Sequence, residues 1–145
     1  MSVTGRNADE APRDLSRCRV LAVDDNSDIR ESLSVVIDLL GHDVMTALDG
    51  VTALAAGREF APDLVLLDVG LPGMSGYEVA PLIRAEAWGR RSLLVAVTGW
   101  AREADQERAE RSGFDAYLIK PVDMHVLRTL IDRAMRRDGG ADTPA

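Results

Sequence analysis

The sequence predicts an α/β fold in which a doubly wound, five-stranded parallel sheet lies between layers of helices. Short apolar runs alternate with segments of helical periodicity, an order typical of strand–helix units. Most of the runs are apolar throughout, as expected for parallel strands that are buried on both faces. No internal repeat or linker interrupts the series, so a single domain is expected.

Four strands are predicted from continuous apolar runs: Val20–Val23, Leu64–Leu67, Leu93–Val97 and Ala116–Ile119. A fifth and weaker run, Asp43–Ala47, alternates polar and apolar residues, a pattern that favours a half-exposed edge strand.

The first and last helices are predicted from apolar stripes that recur at helical spacing. The first stripe ends at Gly41 and comprises Ile29, Leu33, Val36, Ile37 and Leu40. The last follows Pro121 and a predicted Asp123 cap and comprises Leu127, Leu130, Ile131 and Ala134.

Two other helices depart from the ideal pattern. Ser75 and Glu78 predict a capping box at the start of the third helix, whereas Pro81 inside it predicts a kink or a delayed start. The fourth helix, over 101–113, offers only three apolar contacts: Ala101, Ala104 and Ala109. A helix with so few apolar contacts is expected to be weakly anchored and easily shifted.

Composition limits the classes of function. The net charge is -7 and only six residues are aromatic, which argues against a nucleic-acid partner. No apolar run approaches the roughly 20 residues that span a bilayer, and the N-terminus lacks the apolar core of a signal peptide. The single cysteine, Cys18, rules out an internal disulfide and fits a reducing compartment, so a cytoplasmic protein without membrane contact is expected. Residues 1–16 and 138–145 are predicted to be flexible, leaving 17–137 as the domain.

Polar side chains follow four of the predicted strands at the point where each strand ends. Asp24 and Asp25 follow the first run, Asp68 the second, Thr98 the third and Lys120 the fourth. Ligands of open α/β sheets bind at the carboxyl ends of the strands, so these side chains are expected to meet at one edge. Lys120 is also the only lysine in a chain with seventeen basic residues. Codon bias explains the sixteen arginines but does not explain this exception.

Taken singly, each of these residues fits an ordinary turn, helix cap or solvated strand end. Their coincidence at four strand ends instead favours one site. Three clustered carboxylates repel one another unless a cation offsets their charge, and Mg²⁺ prefers such oxygen ligands. A carboxylate can also attack phosphorus to form an acyl phosphate, with an ammonium and a hydroxyl holding the phosphoryl oxygens. The pattern therefore indicates Mg²⁺-assisted phosphoryl transfer.

Four motifs resemble the response-regulator receiver domains of two-component signal transduction. They are VDDN at Val23–Asn26, LLDVGLPGMSGYEVA at Leu66–Ala80, VTG at Val97–Gly99 and YLIKP at Tyr117–Pro121. The resemblance implies a CheY-like, flavodoxin-like three-layer sandwich with strand order 2-1-3-4-5 and five helices. It also implies a cis peptide bond between Lys120 and Pro121.

The resemblance further implies a role for each site residue. Asp68 would accept a phosphoryl group from a histidine kinase or a histidine phosphotransfer protein. Asp25, Asp68 and the backbone carbonyl of Gly70 would bind Mg²⁺ directly, and Asp24 would act mainly through water. Lys120 and Thr98 would hold the phosphoryl oxygens.

Thr98 and Tyr117 would form the switch in this family. Movement of Thr98 toward the phosphoryl group would let Tyr117 rotate inward. The face formed by the fourth helix, fifth strand and fifth helix would then repack, recruiting a downstream protein or a second copy of the chain.

Two positions are individual to this chain. Gly70 places no side chain beside the acceptor, and Trp100 lies two residues after Thr98, near the expected site entrance. Trp100 is either an exposed loop aromatic or a cover that slows hydrolysis of the acyl phosphate. His42 and His125 lie away from the carboxylates in sequence, so solvent-exposed or packing roles are expected for them.

Three functions compete at this stage. The first is a phosphorylation-controlled signalling module, either a single-domain regulator without DNA-binding output, a relay shuttle or a fragment of a hybrid histidine kinase. The second is a Mg²⁺-dependent phosphatase with an Asp nucleophile, although Gly70 stands where such enzymes usually carry a second Asp. The third is a binding module with an inactive site, which the presence of all five expected side chains disfavours.

Overall fold

The computed structural model describes residues 13–99 and 102–137 and contains five strands and six helices in those ranges. The strands are β1 (Arg19–Val23), β2 (Asp43–Ala47), β3 (Leu64–Asp68), β4 (Leu93–Thr98) and β5 (Ala116–Ile119). The helices are α1 (Ser27–Leu39), α2 (Gly50–Phe60), α3 (Gly76–Ala85), α4 (Ala87–Arg91), α5 (Glu103–Ser112) and α6 (Met124–Arg136). None of the helices in these ranges has the length and apolar character that crossing a bilayer requires.

All five strands are parallel, and their order across the sheet is β2-β1-β3-β4-β5. The predicted order 2-1-3-4-5 is therefore confirmed. Every residue of β3 and β4 is buried, as continuous apolar runs in the middle of a sheet should be. The two outer strands, β2 and β5, consist mostly of half-buried residues.

Alternate residues of the strands face two separate cores. One core lies under α2, α3 and α5 and includes Leu21, Val23, Val65, Leu67, Leu94 and Ala96. The other lies under α1 and α6 and includes Val20, Leu64, Leu66, Leu93, Val95 and Val97. Cys18 is fully buried in this second core, as expected of a small apolar side chain. The sheet and its two helical layers form the predicted three-layer sandwich.

The expected count of five helices was wrong, because the short helix α4 separates α3 from β4. Glu86 adopts an extended conformation after α3, and the chain then turns once more before β4. A β-carbon added to Gly89 of α4 would lie 1.8 Å from the carbonyl oxygen of Ile83. The close approach of these two helices therefore needs glycine at this position.

The predicted helix ends agree with the structure. The Ser75–Glu78 capping box is present, α3 begins at Gly76 and the helix continues through Pro81, so the proline does not delay its start. Asp123 caps α6 by accepting hydrogen bonds from the amides of His125 and Val126. In α5, which was expected to use three alanines, Ala109 is buried, Ala104 is exposed and Ala101 lies outside the described residues.

Candidate functional site

The strand register brings the predicted polar residues to one edge of the sheet. Val23 of β1 pairs with Leu67 of β3, so Asp24 and Asp68 lie side by side where these strands end. Asp68 pairs with Val97 of β4, which places Thr98 at the same edge, and Lys120 follows β5 directly. The site thus occupies the carboxyl ends of four adjacent strands.

Three carboxylates meet at this edge. One carboxylate oxygen each from Asp24, Asp25 and Asp68 lies within 4.8 Å of the other two. Asp24 and Asp68 are buried, whereas Asp25 is exposed to solvent. Hard oxygen donors with an open, solvent-facing side fit Mg²⁺, which binds a few carboxylates and keeps several of its waters.

Lys120 supplies the positive charge inside this cluster. Its Nζ lies 3.1 Å from Oδ2 of Asp24 and 3.4 Å from Oδ2 of Asp68. Burial opposes the charge of this ammonium, but the hydrogen bond to Asp24 and the negative charges of Asp68 and Asp24 outweigh burial and raise the pKa of Lys120. The lysine therefore stays protonated and offsets part of the charge of the acidic cluster.

Two glycines shape the surroundings of Asp68. The amide of Gly70 donates to Oδ1 of Asp68 over 3.0 Å, and a β-carbon on Gly70 would approach only that oxygen, at 3.7 Å. A β-carbon on Gly76 would lie 2.6 Å from both the Asp68 carbonyl oxygen and the Val69 Cα. The first glycine places no side chain beside the carboxylate, and the second lets α3 begin directly against the loop after Asp68.

Thr98 and Tyr117 are neighbours on adjacent strands. Thr98 is buried at the end of β4, and Tyr117 is half-buried on β5. Burial and then the charge of Asp105 raise the pKa of Tyr117, whereas a side-chain hydrogen bond with Thr98 acts in the opposite direction. Thr98, at the end of β4, is thus linked by a hydrogen bond to Tyr117 of the outer strand.

Other residues singled out in the sequence have simpler positions. The Lys120–Pro121 bond is cis, as the resemblance implied. His42 is half-buried and accepts a hydrogen bond from the Cys18 amide at Nδ1, and His125 is exposed on α6. Trp100 lies outside the described residues.

Two features of the site were not found from the sequence. Arg30 of α1 donates from Nη1 to the backbone carbonyl of Asp24 over 2.8 Å. The apolar stripe of α1, interpreted as core, also lines a groove of about 500 Å³ that reaches Asp24, Lys120 and Val122. An arginine four residues after Asn26 gives no distinctive signal in sequence, because arginines are common on solvated helix faces.

Comparison with known proteins identifies the family. The sequence model of the response regulator receiver domain family matches residues 20–132 of this chain. The DNA-binding response regulator MtrA of Mycobacterium tuberculosis is 38% identical over 132 residues, which are 91% of this chain and 56% of MtrA. The virulence sensor protein BvgS of Bordetella pertussis is 39% identical over 124 residues, which are 82% of this chain and 10% of BvgS. The chain therefore spans little more than half of MtrA and a small part of BvgS.

A solved structure extends the likeness to three dimensions. The receiver domain of the sensor histidine kinase PA1611 from Pseudomonas aeruginosa superposes with a TM-score of 0.74 and 29% identity. The match covers 82% of this chain and 98% of that domain, which was crystallised with a magnesium ion coordinated in its active-site cleft. Sequence, strand order and superposition agree that the chain belongs to the response regulator receiver domain family of two-component systems.

Proposed function

We propose that Asp68 is the phosphoacceptor of this receiver domain. The observation that carries the proposal is the position of its buried carboxylate, flanked by Asp24 and Asp25 and facing the ammonium of Lys120. The donor would be a histidine kinase or a histidine phosphotransfer protein. Gly70 places no side chain beside Asp68 that would obstruct the approach of the phosphohistidine.

The transfer needs little covalent chemistry from the protein. A carboxylate oxygen of Asp68 forms a bond to phosphorus while the phosphorus–nitrogen bond of the donor breaks. The electron pair of the broken bond stays on the imidazole nitrogen, and the acceptor carries an acyl phosphate. Lys120, which contacts Asp68, and Thr98, at the same edge of the sheet, would donate to the phosphoryl oxygens, so positioning and charge neutralisation would supply most of the catalysis.

Mg²⁺ is the cofactor that the acidic cluster fits. Asp25, Asp68 and the backbone carbonyl of Gly70 would bind it directly, and Asp24 would act mainly through water. The ion would neutralise the negative charge that builds up between the acceptor and the incoming phosphoryl group.

An Asp68→Asn variant tests the assignment. We expect acetyl phosphate with Mg²⁺ to add one phosphoryl group to the wild-type protein and none to the variant, as read by intact mass. Asp38→Asn, which changes an exposed carboxylate on α1, is the matched control and should be labelled like the wild type. Stoichiometric labelling of Asp68→Asn at another residue would contradict the proposal. A wild-type protein that is never labelled would favour a binding module without phosphotransfer.

A phosphatase with an Asp nucleophile is the second candidate. Such an enzyme needs an acid/base near the nucleophile, and Gly70 supplies none at the position where those enzymes usually carry it. We expect negligible turnover of small phosphate esters. Multiple turnovers on such an ester would reverse this ranking.

Thr98 and Tyr117 are proposed as the switch, because their hydrogen bond links the acceptor edge to strand β5. The expected face of the fourth helix, fifth strand and fifth helix corresponds to α5, β5 and α6 here. We expect Lys120→Arg to fold and to accept some phosphate yet to switch poorly, since a planar guanidinium replaces a compact ammonium. Wild-type partner binding by phosphorylated Lys120→Arg would argue against this role.

The α5–β5–α6 face is the proposed site of output. Four acidic residues lie on α5 (Glu103, Asp105, Glu107 and Glu110), and three exposed arginines lie on α6 (Arg128, Arg133 and Arg136). Ile119, Met124 and Val126 are exposed apolar residues on β5 and α6. Such a face suits a downstream protein, or a second copy paired acidic helix to basic helix on phosphorylation. Sedimentation with and without beryllofluoride distinguishes the two.

The expectation of a single-domain regulator without DNA-binding output stays a prediction, since both MtrA and BvgS contain a region similar to this chain. Phosphotransfer assays against purified histidine kinases, with Asp68→Asn as control, would identify the donor. Of the kinases tested, the partner kinase should transfer its phosphoryl group to the wild-type protein fastest.

A further inference from the structure

Hydrogen bonds tie the turn that contains Asp24 and Asp25 to the first helix, α1. Oδ1 of Asp24 accepts the amide of Asn26 over 2.9 Å, and the Asn26 side chain accepts the amides of Asp28 and Ile29 at the start of α1. Arg30, one turn into that helix, reaches back and donates from Nη1 to the carbonyl oxygen of Asp24 over 2.8 Å. The peptide that joins Asp24 to Asp25 is therefore held by a charged hydrogen bond.

Asp25 depends on the Arg30 hydrogen bond more than the other two carboxylates of the cluster, Asp24 and Asp68, do. Lys120 contacts the carboxylates of Asp24 and Asp68, and the Gly70 amide also holds Asp68. Asp25 is exposed, and its carboxylate makes no hydrogen bond or ion pair with residues 13–99 or 102–137. The position of the Asp25 carboxylate is consequently set by the backbone of Asp25. Arg30 holds that backbone through its hydrogen bond to the carbonyl of the preceding residue, Asp24.

We propose that Arg30 is a positioning residue for the metal site: it fixes the Asp24–Asp25 peptide so that the Asp25 carboxylate faces Asp68. The inference rests on the proposed function, because it assigns Asp25 to a bound divalent cation. Partners that orient metal ligands typically change metal affinity by 10- to 100-fold when they are removed.

The sign of the effect separates positioning from charge. Arg30 is a cation near a cation site, so its charge alone opposes metal binding. If charge were its only influence, neutralising Arg30 would tighten metal binding, and salt would diminish the change. If Arg30 positions Asp25, the same substitution weakens binding in spite of the removed repulsion, and the loss persists at high salt.

Arg30→Met tests this, because it keeps a long side chain and removes every donor. The affinity for Mn²⁺ as a probe of the Mg²⁺ site is measured by the EPR signal of the free ion, at low and high salt. We expect about tenfold weaker binding than wild type. Arg136→Met, which removes the same charge from an exposed position on α6, is the matched control and should bind like the wild type.

Three further measurements separate the outcomes. At saturating metal, the rate of labelling by acetyl phosphate should return to the wild-type value, which general damage to the fold would not allow. Arg30→Lys keeps the charge on a single donor nitrogen and should weaken binding less than Arg30→Met, and it replaces Arg30→Met if that variant does not fold. Unchanged or tighter Mn²⁺ binding by both variants would overturn the inference. Absence of Mn²⁺ binding by the wild-type protein would instead overturn the metal site of the proposed function.

Discussion

Helices α5 and α6 pack on opposite faces of the sheet, but they are held in different ways. α6 buries four residues of its apolar stripe (Leu127, Leu130, Ile131 and Ala134) and has a side-chain cap from Asp123. Of the ten residues of α5 only Ala109 is buried, and Arg102 at its start provides no side-chain cap. Burial of apolar area is the main source of helix stability in proteins. α6 is therefore a fixed part of the core, whereas α5 needs other contacts to stay in place.

Polar and aromatic contacts hold α5 instead. Arg84 of α3 donates from Nε to the carbonyl of Gly113, the C-cap of α5, and from Nη2 to Asp115. In its middle, the guanidinium of Arg108 lies 4.1 Å from the centre of the Tyr77 ring. A helix held by a few specific contacts can be released by changing one of them, which suits an element that responds to a signal.

The largest expected effect lies in α6. Ile131→Ala should lower the free energy of unfolding by about 3 kcal/mol, because it leaves a cavity in the core under α6. Urea denaturation measures the change, with the exposed Arg128→Ala as a control that should stay within about 0.5 kcal/mol of wild type. The α5 counterpart, Ala109→Gly, should cost about 1–2 kcal/mol through helix propensity and the loss of one buried methyl group. Equal losses in the two helices would break the comparison.

Arg84→Met should have the next largest effect, about 2 kcal/mol on unfolding. The carbonyls of Gly89, Ser92 and Gly113 lose the hydrogen bonds from Arg84, and Asp115 keeps only Arg137 and the Leu94 amide. The loss is below that of a fully buried pair, since both side chains are about one-quarter exposed. Hydrogen exchange should quicken at the end of α5 but not in α6. Uniform quickening of exchange would mean that Arg84 supports the whole fold rather than this helix end.

A smaller effect is expected at Arg108. Arg108→Ala removes a contact worth about 0.5–1 kcal/mol, so amide exchange in α5 should quicken about two- to fivefold. Arg111→Ala, which removes the same charge from the same helix at an exposed position, is the matched control. Equal changes in both variants would assign the effect to helix charge rather than to the Tyr77 ring.

The last prediction concerns the loss of stability at acid pH through His42, which lies near Asp132 of α6, and its effect at neutral pH is the smallest of the series. Burial, followed by the charge of Arg17, lowers the pKa of His42 below 6.5, while Asp132 and Asp43 oppose this shift. The unfolded chain thus binds the proton more readily. The stability that neutral His42 contributes is present above the pKa of this histidine in the unfolded chain. It is lost as the pH falls through its lower pKa in the folded protein.

His42→Gln can still accept the Cys18 amide but does not titrate, so between about pH 7 and pH 5 its stability should fall less than that of wild type. Thermal unfolding across this range measures the difference. Identical pH dependence in the two proteins would remove His42 from the explanation.

The sequence predicted the sheet well because its signals are local. Buried parallel strands are continuous apolar runs, and the residues that end them fall at one edge by topology alone. The sequence alone could therefore predict that four polar residues meet at one edge of the sheet: Asp24, Asp68, Thr98 and Lys120.

What the sequence did not predict depends on contacts across the chain. Helix α4 exists because of how the chain turns between α3 and β4, and Gly89 signals this only once its distance to Ile83 is known. The stacking of Arg108 on Tyr77 and the reach of Arg30 to the Asp24 carbonyl are side-chain geometries. In sequence, both arginines are indistinguishable from surface charges.

Because Lys120 is the only lysine of the chain, the protein contains a single ε-amine, and that amine lies on the acceptor. Amine-selective acylating reagents react only with the neutral amine of Lys120, and the neighbouring carboxylates disfavour that form by raising the pKa of Lys120. The rate at which such a reagent modifies this one side chain consequently reads the electrostatic state of the site directly. A cation that draws the carboxylates away should speed the modification, and an acyl phosphate that holds the ammonium should slow it. One chemical label, located by peptide mass, would then report resting, metal-bound and phosphorylated protein without any engineered probe.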